Sequence, residues 1–225
     1  VQSSDAGRRF RTLEAIRQAA AIRNTPELRR EAFAALALPD LQIERDISLG
    51  RGANSGGLDD GFTRYAFGRG RGAVEVYSLF NQQPITVLPA GTNLTAQLPR
   101  FSPDGRYLAF KRDRSGGFDS DLEVWDLAAT QRVIFAQSAV AREAFSFHPH
   151  VPRLLAGRPS GRLVTWDLEQ GRELMSWRLP PHWSVSYSPD GTRFAVSCGQ
   201  GKGAVVEIRD ATNGAVLASA AFPDT

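Results

Sequence analysis

Residues 101–110, FSPDGRYLAF, and 123–133, EVWDLAATQRV, decide the fold, because both phrases return elsewhere in the chain. The first recurs as YSPDGTRFAV at 187–196. The second belongs to a series: VEVYSLFNQQPITVL from 74, LEVWDLAATQRVIFA from 122, LVTWDLEQGRELMSW from 163 and VVEIRDATNGAVLAS from 205. With Asp126, Asp167 and Asp210 as register marks, and Ser78 at the equivalent place, the spacings are 48, 41 and 43 residues. In every copy the seventh residue after the mark is apolar: Ile85, Val133, Leu174 and Leu217. A unit repeating at this period is one supersecondary module stacked on copies of itself.

Each copy reads as two strands around a polar turn (NQQ, ATQ, EQG, TNG), which is hairpin grammar. A second hairpin lies upstream. In its turn Pro103 and Pro189 preset φ, Asp104 and Asp190 tolerate the next position, and Gly105 and Gly191 take φ > 0 at the exit. The third copy holds the place with Phe147-His-Pro-His150 and then Arg153-Leu-Leu-Ala156, while the first is expected to keep only its second strand, near Phe62–Phe67. Each module is then four strands in about 40–45 residues, at about 62–90, 94–137, 140–178 and 182–222.

A four-strand module ending its third strand in Trp-Asp resembles the WD-repeat family of β-propellers. Trp125-Asp126 and Trp166-Asp167 carry the dipeptide, and Tyr77-Ser78 and Arg209-Asp210 are degenerate forms of it. The resemblance covers roughly residues 62–222. It implies an all-β fold whose inner strands are buried on both sides, as the apolar run Leu122, Val124, Trp125 requires. The opening Gly-His pair of the family is absent, and Arg71, Ser160 and Lys202 stand where an aspartate would precede the third strand. The family's Asp-His-Ser-Trp hydrogen-bond cluster is therefore not expected, and the blades should rest on apolar stacking. WD propellers usually close with about seven blades, so four copies read as a partial ring whose other blades are its first partners.

Before the repeats the pattern is helical. Thr12 is a candidate N-cap ahead of Leu13, Ile16 and Ala20, and Thr25-Pro26-Glu27 is a second start signal. Leu28, Ala32, Ala35 and Leu36 line one face with Phe33 beside them, and Pro39-Asp40 stops the helix. Residues 1–40 thus form a short α-helical hairpin or linker, its arginines a solvated face, and 41–225 the blades. Residues 41–49 alternate as a strand, and Gly50–Gly61 reads as a loop; lacking Gly-Lys-Ser/Thr, it is no phosphate cradle. The segment RRFRTLEAIRQAAAIRNTPELRREAFAALALPDL at 8–41, ahead of a degenerate repeat, resembles the linker of bacterial serine/threonine protein kinases with C-terminal WD repeats. That resemblance implies that this chain is the non-catalytic part of a larger signalling protein. The Gly-rich loop, His-Arg-Asp and Asp-Phe-Gly of a kinase are not in it.

Charge and composition narrow the function further. With 27 basic and 24 acidic residues the net charge is +3, too mild to specify nucleic acid. No apolar run approaches the ~20 residues of a membrane span. The lone Cys198 cannot form an intramolecular disulfide and reads as a small apolar residue. His148, His150 and His182 lack the neighbouring ligands of a metal site, so no metal or cofactor is expected. Ser102 and Ser188 sit in repeated turns, which makes them structural, and Trp177 and Trp183 are expected to pack between blades.

The candidate site follows from loop placement. Loops between second and third strands share one rim, and they contain Arg69, Arg71, Arg112, Arg114, Arg158 and Lys202. Cationic side chains on one rim suit an acidic or phosphorylated protein segment. The resulting expectation is a WD-repeat protein-interaction scaffold without a catalytic residue. The alternatives are a propeller accessory to a peptidase, hydrolase or TolB-like protein, since Ser-Pro-Asp-Gly turns occur there too, and, more weakly, nucleic-acid binding.

Overall fold

Sixteen strands in chain order build four separate antiparallel sheets, each from four consecutive strands. The first sheet joins β1 (Ala53–Leu58), β2 (Arg64–Arg69), β3 (Val74–Ser78) and β4 (Pro84–Leu88). The second joins β5 (Leu94–Phe101), β6 (Tyr107–Arg114), β7 (Asp119–Asp126) and β8 (Gln131–Ala141). The third joins β9 (Phe145–Phe147), β10 (Arg153–Gly157), β11 (Arg162–Asp167) and β12 (Arg172–Arg178). The fourth joins β13 (His182–Tyr187), β14 (Arg193–Gly199), β15 (Gly203–Asp210) and β16 (Val216–Pro223). The computed structural model describes residues 7–37, 46–50, 52–70, 72–90, 94–114, 119–141, 144–158, 160–180, 182–199 and 203–223. The chain divides into two units, Val1–Gly50 and Arg51–Thr225, with all the sheets in the second.

The register marks work by one local mechanism. The carboxylate of Asp126 accepts the backbone N–H groups of Ala128 and Ala129, that of Asp167 those of Glu169 and Gln170, and that of Asp210 those of Thr212 and Asn213. An aspartate so placed closes an Asx turn and starts the hairpin. Four residues after each mark the chain turns left-handed, at Gln82 (φ 57°), Thr130 (φ 50°), Gly171 (φ 63°) and Gly214 (φ 73°). A β-branched side chain suits that conformation worst. Thr130→Gly is therefore expected to stabilise the fold by about 1 kcal/mol, read as a rise in the urea midpoint. No gain would mean that Thr130 is held by contacts beyond its own turn.

The apolar residue seven places after each mark has an unexpected role. In the outer ladders Tyr77 faces Pro84 while Val76 faces Thr86, so Ile85 is skipped; Val133, Leu174 and Leu217 are skipped in the same way. All four are β-bulge residues, which sharpen the twist of the outer strand.

The Ser-Pro-Asp-Gly turns match each other bond for bond. Ser102 Oγ donates to Asp104 Oδ1 at 2.5 Å and accepts from Tyr107 N at 2.8 Å; Ser188 does the same with Asp190 at 2.5 Å and Arg193 N at 3.1 Å. Hydrogen bonds from Ser188 and Thr192 hold the Asp190 carboxyl down at about 2. Gly105 and Gly191 sit at φ 69° and 71°.

The first sheet corrects the reading of its own repeat. Residues 53–58 are a full inner strand rather than part of a loop, so blade 1 is complete. Its turn is built on Asp59, which accepts from Thr63 N (2.7 Å) and Arg64 N (2.9 Å) and takes the place of Ser102. The glycines that suggest a loop are there for close approach. A Cβ on Gly57 would lie 2.1 Å from the Pro99 carbonyl oxygen, and one on Gly68 would lie 2.0 Å from that of Ala96. The first two sheets touch backbone to backbone along β5.

Three apolar clusters fill the spaces between consecutive sheets. Val76, Leu88, Leu108 and Phe110 join the first two, Leu122, Val124, Phe145 and Leu154 the middle two, and Leu155, Leu163, Phe194 and Val196 the last two. Trp177 belongs to the last cluster, its ring centroid 5.6 Å from that of Phe194, and so packs between blades as expected; Trp183's packing lies outside the described side chains. Fully buried aliphatic side chains contribute about 1.5–3 kcal/mol each, so sheet stacking is the main source of stability.

The N-terminal unit holds α1 (Arg8–Ile22) and α2 (Pro26–Leu36), which pack on each other. Thr25 caps α2 by accepting from Leu28 N at 3.4 Å. Thr12 lies inside α1 and is no cap. The helix starts at Gly7 (φ 81°), because the arginines before Thr12 are good helix formers and nothing there stops it. Leu13, Ile16, Leu28 and Ala32 are half-buried and Ala35 is buried, whereas Phe33 turns to solvent. Of the strand expected at 41–49, residues 41–45 lie outside the described residues and 46–49 are not extended into a sheet.

Candidate functional site

One register position carries arginine in the first three blades: Arg69, Arg112 and Arg158. The ladders align them, since two residues earlier Phe67 faces Glu75, Phe110 faces Glu123 and Ala156 faces Val164. What the third strand offers at that facing position decides what each arginine does.

In blade 1 the strand offers Glu75. Arg69 clasps it with Nε to Oε1 at 3.1 Å and Nη2 to Oε2 at 3.0 Å, and the Tyr77 hydroxyl donates to the same carboxylate at 3.1 Å. The Arg69 hydrogen bond holds the Glu75 carboxyl below its ordinary range, against the effect of burial. The guanidinium also lies 4.6 Å over the Phe67 ring, a favourable cation–π arrangement.

In blade 2 the same trio is buried. Arg112 is 1% exposed and meets Glu123 with Nε to Oε1 at 2.8 Å, while Trp125 Nε1–H donates to Glu123 Oε2 at 2.9 Å. Arg112 then reaches backward: its Nη2 donates to the Pro89 carbonyl at 2.6 Å and its Nη1 to the Gly72 carbonyl. Both acceptors belong to blade 1, so the arginine ties one blade to the next through charge-assisted hydrogen bonds.

Blade 3 breaks the pattern. Val164 stands in place of the glutamate, and Arg158 turns to Glu173 on the outer strand, 3.7 Å away and 30% exposed. The other oxygen of Glu173 accepts from Arg162 Nη2 at 2.6 Å. Arg162, 44% exposed, faces the exposed Arg178 directly across the ladder. Arg158 and Arg162 thus share one carboxylate while Arg178 stands opposite Arg162, and like charges directly opposite each other cost stability. Blade 4 has Cys198 at the arginine position, its thiol pushed up by burial, and Glu207 is held instead by Arg209 at 2.8 and 2.7 Å.

Two expectations change. The blades do not rest on apolar stacking alone: a glutamate with its arginine and ring donor replaces the absent Asp-His-Ser-Trp cluster in blades 1 and 2. Arg112 is also no rim residue, because burial and four hydrogen bonds occupy its guanidinium. Arg69 and Arg158 do reach the surface beside the second-to-third-strand turns. Arg114 ends β6 opposite Leu94, and Arg71 and Lys202 lie outside the described residues. Arg162 and Arg178 were missed, though Arg162 opens a third strand and Arg178 closes the fourth, which hairpin pairing brings together. The recurring Glu-Val-Tyr, Glu-Val-Trp and Glu-Ile-Arg before the marks was the available signal for the buried clusters.

No protein-family model matches the chain, and no curated protein does either. Solved structures do. The β-propeller domain of Cps50 (Swd1) from Myceliophteria thermophila superposes with a TM-score of 0.64 at 18% identity, over 81% of this chain and 59% of that one. Kuenenia stuttgartiensis hydrazine synthase superposes with a TM-score of 0.61 at 13% identity, over 81% of this chain and 53% of that one. The chain therefore spans a little over half the length of the structures it matches. Four stacked four-stranded sheets with this likeness make the second unit a partial, four-bladed β-propeller, preceded by a helical hairpin.

Proposed function

We propose that this chain is a protein-interaction module whose blade-3 corner, Arg158, Arg162 and Arg178, recruits an acidic or phosphorylated segment of a partner. The observation that carries the reading is that Arg158 and Arg162 share the Glu173 carboxylate while Arg178, opposite Arg162, adds a third positive charge. Arg69 and Arg112, which hold the Arg158 position in blades 1 and 2, are each clasped through two nitrogens by the facing glutamate, although Glu123 also meets Arg132 at 3.5 Å. An exposed cationic corner retained against its own repulsion suits carboxylate or phosphate groups held by bidentate hydrogen bonds. We infer a larger context in which further blades complete the ring and a bacterial serine/threonine kinase domain lies elsewhere in the full-length protein. The 59% and 53% coverage of the matched structures and the helical preface at 8–41 support that context. Reading the complete open reading frame tests it.

The corner is tested with a fluorescent peptide of alternating glutamate and glycine, and with the same peptide bearing phosphoserine. Binding should weaken by about tenfold or more in R158E/R162E/R178E and should fall steeply with added salt. The R69E variant should retain most of it, since Arg69 is committed to Glu75. Equal binding by the triple variant and the parent would overturn the assignment.

A further inference from the structure

On the opposite face from the arginine corner, a cavity of about 270 Å³ opens between blades 3 and 4. Thr165, Met175 and Arg153 line it from blade 3, and Tyr187 and Thr212 from blade 4, with His148 as one wall. Thr165 is the anomaly. The ladders place it with Val76, Val124 and Ile208, which face Ala66, Ala109 and Ala195 as Thr165 faces Leu155. Three blades use an apolar β-branched residue there, and only blade 3 uses a hydroxyl. That residue is 1% exposed, and its Oγ1 has no hydrogen bond of good geometry among the described residues, although the Tyr187 hydroxyl lies beside it. A buried hydroxyl without a well-formed hydrogen bond is destabilising, and a bound acceptor would offset that.

The charged side chain in the cavity's own lining is Arg153, while the carboxylates of Asp167, Asp190 and Asp210 stand in the turns around it. Arg64 in blade 1 pairs with Asp59, and Arg106 in blade 2 with Asp126. Arg153 occupies the register position of Arg64 but forms no ion pair among the described residues. Its charge is felt by both His148 and Tyr187. The carboxylates of the surrounding turns, Asp167, Asp190 and Asp210, are engaged by turn N–H groups, and no acidic side chain among the described residues lines the cavity. His148 contributes a neutral wall. Its Nδ1 accepts from His150 N (3.1 Å) and Val151 N (3.3 Å), and burial, then Arg153, lowers its pKa. Met175 and Ala211 supply apolar lining.

We propose that this cavity binds a carboxylate with a short aliphatic body, the Arg153 guanidinium neutralising it and the Thr165 hydroxyl donating to it. The carboxylate can belong to a free small acid or to the end of a peptide chain, and the test separates the two. The full chain is titrated calorimetrically with propionate, with acetyl-Ala-Val carrying a free C-terminus, and with the C-terminal amide of that peptide. Binding of at least one carboxylate is expected, weakened about tenfold in R153Q and about fivefold in T165V. T165V carries the side chain of Val76 and Val124, so it should fold at least as stably as the parent without ligand. Binding by propionate alone identifies a free acid as the source, and binding by the free-acid peptide alone identifies a chain end. Failure of both carboxylates to bind, equal binding of the amide, or undiminished binding by R153Q would overturn the proposal.

Discussion

Glu123→Ala is expected to lower the unfolding free energy by about 3–5 kcal/mol. The glutamate is buried with Arg112, and removing it leaves a guanidinium 1% exposed with carbonyl acceptors but no counter-charge. Trp125 Nε1–H loses its acceptor at the same time. Urea unfolding followed by tryptophan emission measures the loss. The double variant R112M/E123L should recover part of it, because exchanging a whole buried pair for apolar groups of similar volume is far milder than orphaning one member. Glu75→Ala provides the scale: its partner Arg69 is partly solvated, so the cost should be nearer 1 kcal/mol. If Glu123→Ala costs no more than Glu75→Ala, the blade-2 trio does not tie the blades together.

Phe194→Ala should cost a similar amount, about 3–5 kcal/mol, with a different spatial signature. Phe194 is buried between blades 3 and 4 among Leu155, Leu163, Val185 and Val196, with the Trp177 and Tyr187 rings 5.6 and 6.5 Å away. Among the described residues blade 4 contributes to this one apolar cluster, whereas blades 2 and 3 each contribute to two. Opening should therefore concentrate in blade 4, and amide hydrogen exchange should accelerate in β14 and β15 before β6 and β7. Uniform acceleration across all four sheets would show that the blades unfold as one unit and that the terminal blade has no separate weakness.

The repeat was legible in the sequence as register marks and turns, and the structure supplies the hydrogen bonds that make them recur. Asp126, Asp167 and Asp210 close their turns with N–H groups two and three residues away, and Ser102 and Ser188 bond within five residues of themselves. Interactions that short depend on residue type and spacing alone. The apolar seventh residue was visible too, but its role as a bulge needed the partner strand. The inner strand of blade 1 was hidden because its glycines answer to backbone in another sheet, at Ala96 and Pro99, which no local pattern reveals.

By itself, then, the sequence determined the module, its turns and the number of copies, since those rest on contacts a few residues long. Only the tertiary structure decided which arginines are sealed between blades and which reach solvent. Arg69, Arg112 and Arg158 look alike along the chain, and their fates diverge with the facing residue of the next strand and the carbonyls of the neighbouring blade. FSPDGRYLAF and EVWDLAATQRV specify the blade. Whether a charge beside them is sealed or open depends on groups up to 40 residues distant, brought within hydrogen-bond reach only when the sheets stack.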